Sequence, residues 1–142
     1  MAGGDLKRQS YRLRIAAVAV PLLMAGLAIP HDAAAQSAGL EGSWRGGGSV
    51  SFASGQRERA ECRAQYHRAS GNAYTVTATC ATPSGRATQT ATLRQVGGNS
   101  YQGQFHNSEY NVSGTIFVTV GGNRQSVRLT SESGSASLEL RR

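Results

Sequence analysis

From about residue 42 onward, apolar or small side chains recur at every second position and polar ones fill the positions between. A period of two marks strands with one buried face, and no stretch of this part has the periodicity of a helix. Eight segments follow the pattern: about 42–53, 57–69, 73–82, 86–96, 100–107, 109–120, 124–131 and 135–142. Turn-forming clusters separate most of them, among them Ser54-Gly55-Gln56, Ser70-Gly71-Asn72, Pro83-Ser84-Gly85, Gly97-Gly98-Asn99, Gly121-Gly122-Asn123 and Ser133-Gly134. Connections this short make consecutive strands antiparallel neighbours. An eight-stranded meander leaves two bare edges unless it closes. The expected fold is therefore all-β, an eight-stranded antiparallel up-and-down β-barrel, with a β-sandwich as the alternative.

The alternation assigns an inward face. Trp44, Val50 and Phe52 share it on the first strand, and Tyr110, Val112, Ile116, Val118 and Val120 on the sixth, with Phe117 pointing out. Closure brings Arg141 and Arg142 beside Trp44. Many inward positions are small, including Gly46, Gly48, Ala60, Ala64, Ala78, Ala87, Ala91, Gly103 and Gly114. Such a lining makes either a ligand cavity or a flattened barrel. The lining of an apolar void has no atoms to attract it on one side, and that missing dispersion energy favours flattening.

Folding the chain at Gly71 sets Cys62 opposite Cys80 on the inner face, which predicts a cross-strand disulfide. The bridge closes a 19-residue loop and is worth about 3 kcal/mol by the chain-entropy account. The same alternation places Trp44 across from Tyr66 and Gly48 beside Cys62.

The first 35 residues read differently. Lys7, Arg8, Arg12 and Arg14 precede an apolar run, Ile15–Ile29, and Ala33-Ala34-Ala35 follows. That order is the pattern of a cleaved secretory signal peptide. The run is shorter than the ~20 residues that span a bilayer. The expected organisation is a signal peptide over 1–35, a flexible segment over 36–41 and a barrel over 42–142. The location is then periplasmic or secreted in a bacterium, where a disulfide persists. No transmembrane span remains after cleavage, and a monomer is expected.

Residues 36–142 carry eleven Arg, six Glu, no Lys and no Asp, a net charge of +5. This balance removes Asp-containing triads, Ser-Lys dyads and Schiff-base lysines. His67 and His106 fall on separate strands and point outward, so no zinc site is expected. His106 lies across a tight turn from Glu109, as a weak ion pair at most. Glu58 and Glu61 lie on opposite faces of one strand and cannot act on one bond. Gly46-Gly47-Gly48 lacks the Lys of a phosphate loop and reads as a strand kept slim for packing or bending. No enzyme activity, cofactor or metal is expected. Arg45, Arg57, Arg59 and Arg63 form an outward stripe, a candidate anion-binding face that Glu61 interrupts. No aromatic platform interleaves with it, so nucleic acid is not the expected partner.

Leu40-Glu41-Gly42-Ser43-Trp44 adds a resemblance. A Gly-x-Trp opening the first strand of such a meander resembles the calycins, in which an Arg of the last strand packs over the Trp; Arg142 or Arg141 would do so here. Together with the Cys62/Cys80 pair, the segment Ala38–Trp44 is similar to small bacterial periplasmic inhibitors of secreted metalloproteases and to related outer-membrane inhibitor lipoproteins. That resemblance implies a partner-binding segment, Gln36, Ser37, Ala38, Gly39 and Leu40, whose amine approaches the protease zinc. An N-terminal Gln36 that cyclises would lose that amine, and no lipid-anchor Cys is present. The expected function is thus an exported non-enzymatic binding barrel, with a secreted protease or other envelope protein as partner. Two alternatives stand beside it: a carrier of a small apolar ligand, and a structural or stress protein of the cell envelope.

Overall fold

The computed structural model describes residues 39–142. The signal-peptide reading of 1–35 and the segment Gln36–Ala38 lie outside the described residues.

Eight strands follow in order: β1 (Gly42–Phe52), β2 (Arg57–Ser70), β3 (Ala73–Thr82), β4 (Gly85–Gln95), β5 (Ser100–Asn107), β6 (Val112–Gly121), β7 (Arg124–Ser131) and β8 (Gly134–Arg141). Each pairs antiparallel with the next, and β1 pairs with β8 to close the barrel. The sandwich alternative is excluded by that last pairing. Closure leaves no strand edge among the eight.

The inward face is the expected one. Ala60, Cys62, Ala64 and Tyr66 are buried on β2, Tyr74 and Val76 on β3, and Ile116, Val118 and Val120 on β6. Cys62 and Cys80 are register partners and form the disulfide, with Cα atoms 4.1 Å apart.

Three expectations need correction. Trp44 pairs with Ala64, not Tyr66, and Gly46 rather than Gly48 pairs with Cys62. The β1–β2 turn keeps the expected three residues but sits one position earlier, centred on Ser54: Phe52 N–H donates to the Gln56 carbonyl, and Ser51 pairs with Arg57. The register shift is thus two residues, an even number, so every side chain keeps its face. Tyr110 is not in a strand. Asn111 takes a positive φ of 49° and ends the β5–β6 turn, so β6 begins at Val112 and Tyr110 is 60% exposed. Finally, the barrel is not flattened, as described below.

Gly46 and Gly48 explain how β1 reaches β8. A Cβ on Gly46 would stand 2.1 Å from the Glu139 carbonyl oxygen, and one on Gly48 1.9 Å from that of Ser137. These glycines let two backbones approach at the seam, as the slim-strand reading expected.

Candidate functional site

The two ends of the barrel are built differently. At one end lie the β2–β3, β4–β5 and β6–β7 turns and the entry to β1. Here Trp44, Leu93, Tyr66, Tyr74 and Leu140 are almost fully buried. Leu40 folds under the end of the barrel and is 0% exposed. Trp44 donates its indole N–H to the Leu40 carbonyl at 3.0 Å. The guanidinium of Arg142 lies 4.4 Å above the Trp44 ring and donates to the Glu41 carbonyl at 3.0 Å. Arg142 therefore supplies the expected closure contact. Arg141 does not; it points outward and pairs in register with Arg45 and Arg124. Tyr74 and Tyr101 meet edge-to-face at 5.4 Å, and Arg68 donates to the Tyr74 hydroxyl. Tyr66 donates to the side-chain carbonyl of buried Gln125 at 2.7 Å, and burial pushes its phenol well above the usual range.

The opposite end is a cup. A cavity of about 550 Å³ opens between the β1–β2, β3–β4, β5–β6 and β7–β8 turns. Its floor is the Cys62–Cys80 disulfide with Phe105 and Leu138. Ala60, Ala87 and Ala136 make its walls thin, and Val50, Val112 and Leu129 complete them. Phe52 and Tyr110 stand at the mouth beside the hydroxyls of Ser54, Ser84 and Ser133. Below the floor lies a further void of about 30 Å³. Gln89 borders both spaces, and its amide N–H lies 3.6 Å from the Cys80 sulfur.

This cavity overturns the expectation of a flattened barrel. Strand number and stagger set the radius of a barrel, and the large side chains at the plugged end hold it at that radius. Small side chains at the other end then leave space, because the backbone ladder cannot follow them inward.

Among the described residues, no Asp, Glu, Arg or His side chain lines the cup. Its polar groups are hydroxyls and the amides of Gln56, Gln89 and Asn107, and Asn107 already accepts the backbone N–H groups of Glu109 and Tyr110 through Oδ1. The nearest acid of note is Glu58. Ser84 donates to its carboxylate, and that bond, with one from Thr82, holds Glu58 below the usual carboxylate range. Glu58 shares the inward face of β2 with Ala60 and Cys62 and pairs in register with Val50, so its carboxylate sits at the rim of the cup, held by Ser84 and Thr82, which line it.

The other candidates fall elsewhere. His67 and His106 are exposed on β2 and β5. His106 pairs with Ser113 at 2.7 Å, while Glu109 accepts the Thr88 backbone N–H, so the expected His106–Glu109 pair does not form. Among the described residues no group of three His, Cys, Asp or Glu is placed to hold a metal. Arg45, Arg57, Arg59 and Arg63 are exposed on the outer wall. Of the segment expected to meet a partner, Gly39 is half-buried and Leu40 is inside the protein. The small inward residues left a cavity and a flattened barrel both open in the sequence; that Ala60, Ala87 and Ala136 gather at one end emerges only once the register is known.

No protein-family model matches the chain, and no curated protein sequence matches it. Solved structures do. A redesigned β-barrel, mFAP1, bound to DFHBI is similar at a TM-score of 0.62 and 13% identity, over 72% of this chain and 94% of that one. A de novo designed fluorescence-activating β-barrel is similar at a TM-score of 0.58 and 15% identity, over 77% of this chain and 96% of that one. At such identities the likeness concerns the fold alone: a small eight-stranded antiparallel barrel.

Proposed function

We propose that this protein binds a small, uncharged and largely apolar molecule in the cup. The observation that carries the reading is the pairing of a plugged end with a cavity of about 550 Å³ that, among the described residues, is lined by apolar, hydroxyl and amide groups. Ligand sites range over roughly 300–1,000 Å³ and combine apolar walls with a few polar groups. Burying a carboxylate or ammonium there without a counter-charge is costly. The cup thus favours alcohols, esters, ketones or aromatic compounds over free fatty acids or amines. The similar mFAP1 barrel holds its own small ligand, DFHBI, which supports the reading by analogy of shape.

The sequence-based preference for protease inhibition has less support. Its motivating segment leads into Leu40, which is buried and hydrogen-bonded through its carbonyl to Trp44. No catalytic role is proposed. Export is part of the proposal, supported by the signal-like pattern of residues 1–35 and the disulfide.

Titration with Nile red, an uncharged fluorophore, tests the function. Saturable binding at one site per chain is expected. Ala87 on β4 and Ala136 on β8 line the cup from opposite walls. The double variant A87L/A136L narrows it from both sides and should weaken binding by about tenfold or more while its urea midpoint stays level or rises. Unchanged binding in this variant, or tighter binding of a fatty-acid anion than of its methyl ester, overturns the reading.

A further inference from the structure

The outer wall carries a feature that only the register reveals. Arg124 on β7 pairs with Arg141 on β8, Arg141 with Arg45 on β1, and Arg45 with Arg63 on β2. Four arginines therefore stand side by side across four adjacent strands, over the closure seam. All four are exposed, and among the described residues none forms an ion pair within 4.0 Å. Like charges directly opposite one another on a sheet are destabilising. Three consecutive such pairs cost stability that a bound anion would return.

A second observation marks the end of this row. Beyond Arg63 the wall is indented by a recess of about 510 Å³, bounded by Arg45, Arg63 and Arg86 with Thr79 and Ala81 between them. Glu61 also borders it. Glu61 and Glu139 flank Gly47 in the next outward row, so the band holds five arginines against two acids.

We propose that this band binds a linear acidic polysaccharide laid across the strands. The spacing of neighbouring strands, about 4.8 Å, is close to the repeat of a pyranose chain, so successive arginines can meet successive sugar carboxylates or sulfates. The barrel carries Arg and no Lys, and the Arg fork pairs such oxyanions bidentately. A row running around a curved wall suits a flexible chain better than a flat membrane, which touches a barrel along its axis. Nucleic acid is disfavoured because no aromatic side chain lines the recess for bases to stack on.

The test is calorimetric titration with a size-defined heparin octasaccharide over a series of salt concentrations. R45Q/R141Q should weaken binding by about tenfold or more and flatten the salt dependence by roughly two counterions. R57Q/R59Q removes the same charge away from the row and should weaken binding by less than about threefold. R63Q/R124Q repeats the result on the other members. Relief of the like-charge pairs should leave the row variants at least as stable as the parent at low salt. Equal weakening by both kinds of variant reduces the effect to net charge and overturns the proposal. So does a lack of octasaccharide binding at low salt, or tighter binding of a dT12 oligonucleotide or of phosphatidylglycerol vesicles.

Discussion

The two ends of this barrel share one backbone architecture and have opposite interiors. At the plugged end an indole, three phenols and several leucines fill the barrel, and Leu40 and Arg142 seal it. At the cup end the same alternation of strands delivers alanines, a disulfide and hydroxyls. Stability and the proposed binding site are thereby separated along the barrel axis. The plugged end supplies buried apolar area and holds the radius, which frees the other end from having to pack.

Substitutions can break that contrast. The largest effect should come from Trp44→Ala. Removing a buried Trp costs about 3–5 kcal/mol, and here it also strands Leu40 and Arg142. Urea unfolding should show near-complete loss of the folded state. At the mouth, Phe52→Ala should cost well under about 1 kcal/mol. Equal losses at both positions would refute the division of labour. The disulfide comes next, since it stands where the two ends meet. C62A/C80A should lower stability by about 3 kcal/mol and also weaken Nile red binding, because the bridge is the floor of the cup. Loss of stability with binding intact at low temperature would mean that the ligand seats higher, near Phe52 and Tyr110.

The smallest effect should come from Glu58. Hydrogen bonds from Ser84 and Thr82 hold its folded pKa below the ordinary 4.5. The unfolded chain therefore takes up protons first as pH falls. The contribution is complete above about pH 4.5 and is lost as pH drops through the lowered folded value. In Glu58→Gln the difference between urea stability at pH 7 and at pH 3 should shrink. An unchanged difference would show that the carboxylate is idle.

Much of this fold was legible in the sequence, for definite reasons. Period-two alternation survives any even slip in register, so the inward faces of β2, β3 and β6 were readable although the β1–β2 pairing was two residues off. Cys62 and Cys80 were placed correctly because one tight turn at Gly71 separates them. Arg142 met Trp44 because closure brings those strand ends together. The cup was hidden because its volume depends on which small residues share a level, and that requires all eight registers at once. Tyr110 and Phe52 fall on the inward face by alternation, yet both sit at the mouth, where the turns end the ladder. Leu40 looked like part of a free arm because nothing before Gly42 alternates. The arginine row was split between residues far apart in the chain and became visible only at the β1–β8 seam.

That seam also has a kinetic meaning. Every other strand pairs with a partner made just before or just after it, so hairpins can form as the chain appears. Gly46 and Gly48 must wait for β8, the most distant strand, before they find the backbone they are shaped to touch. Contacts between distant parts of a chain form slowly because loop closure comes first. Until then β1 is a bare edge. The search for the final strand is thus the slow step expected in folding, and the interval in which two copies of the chain are best able to exchange strands.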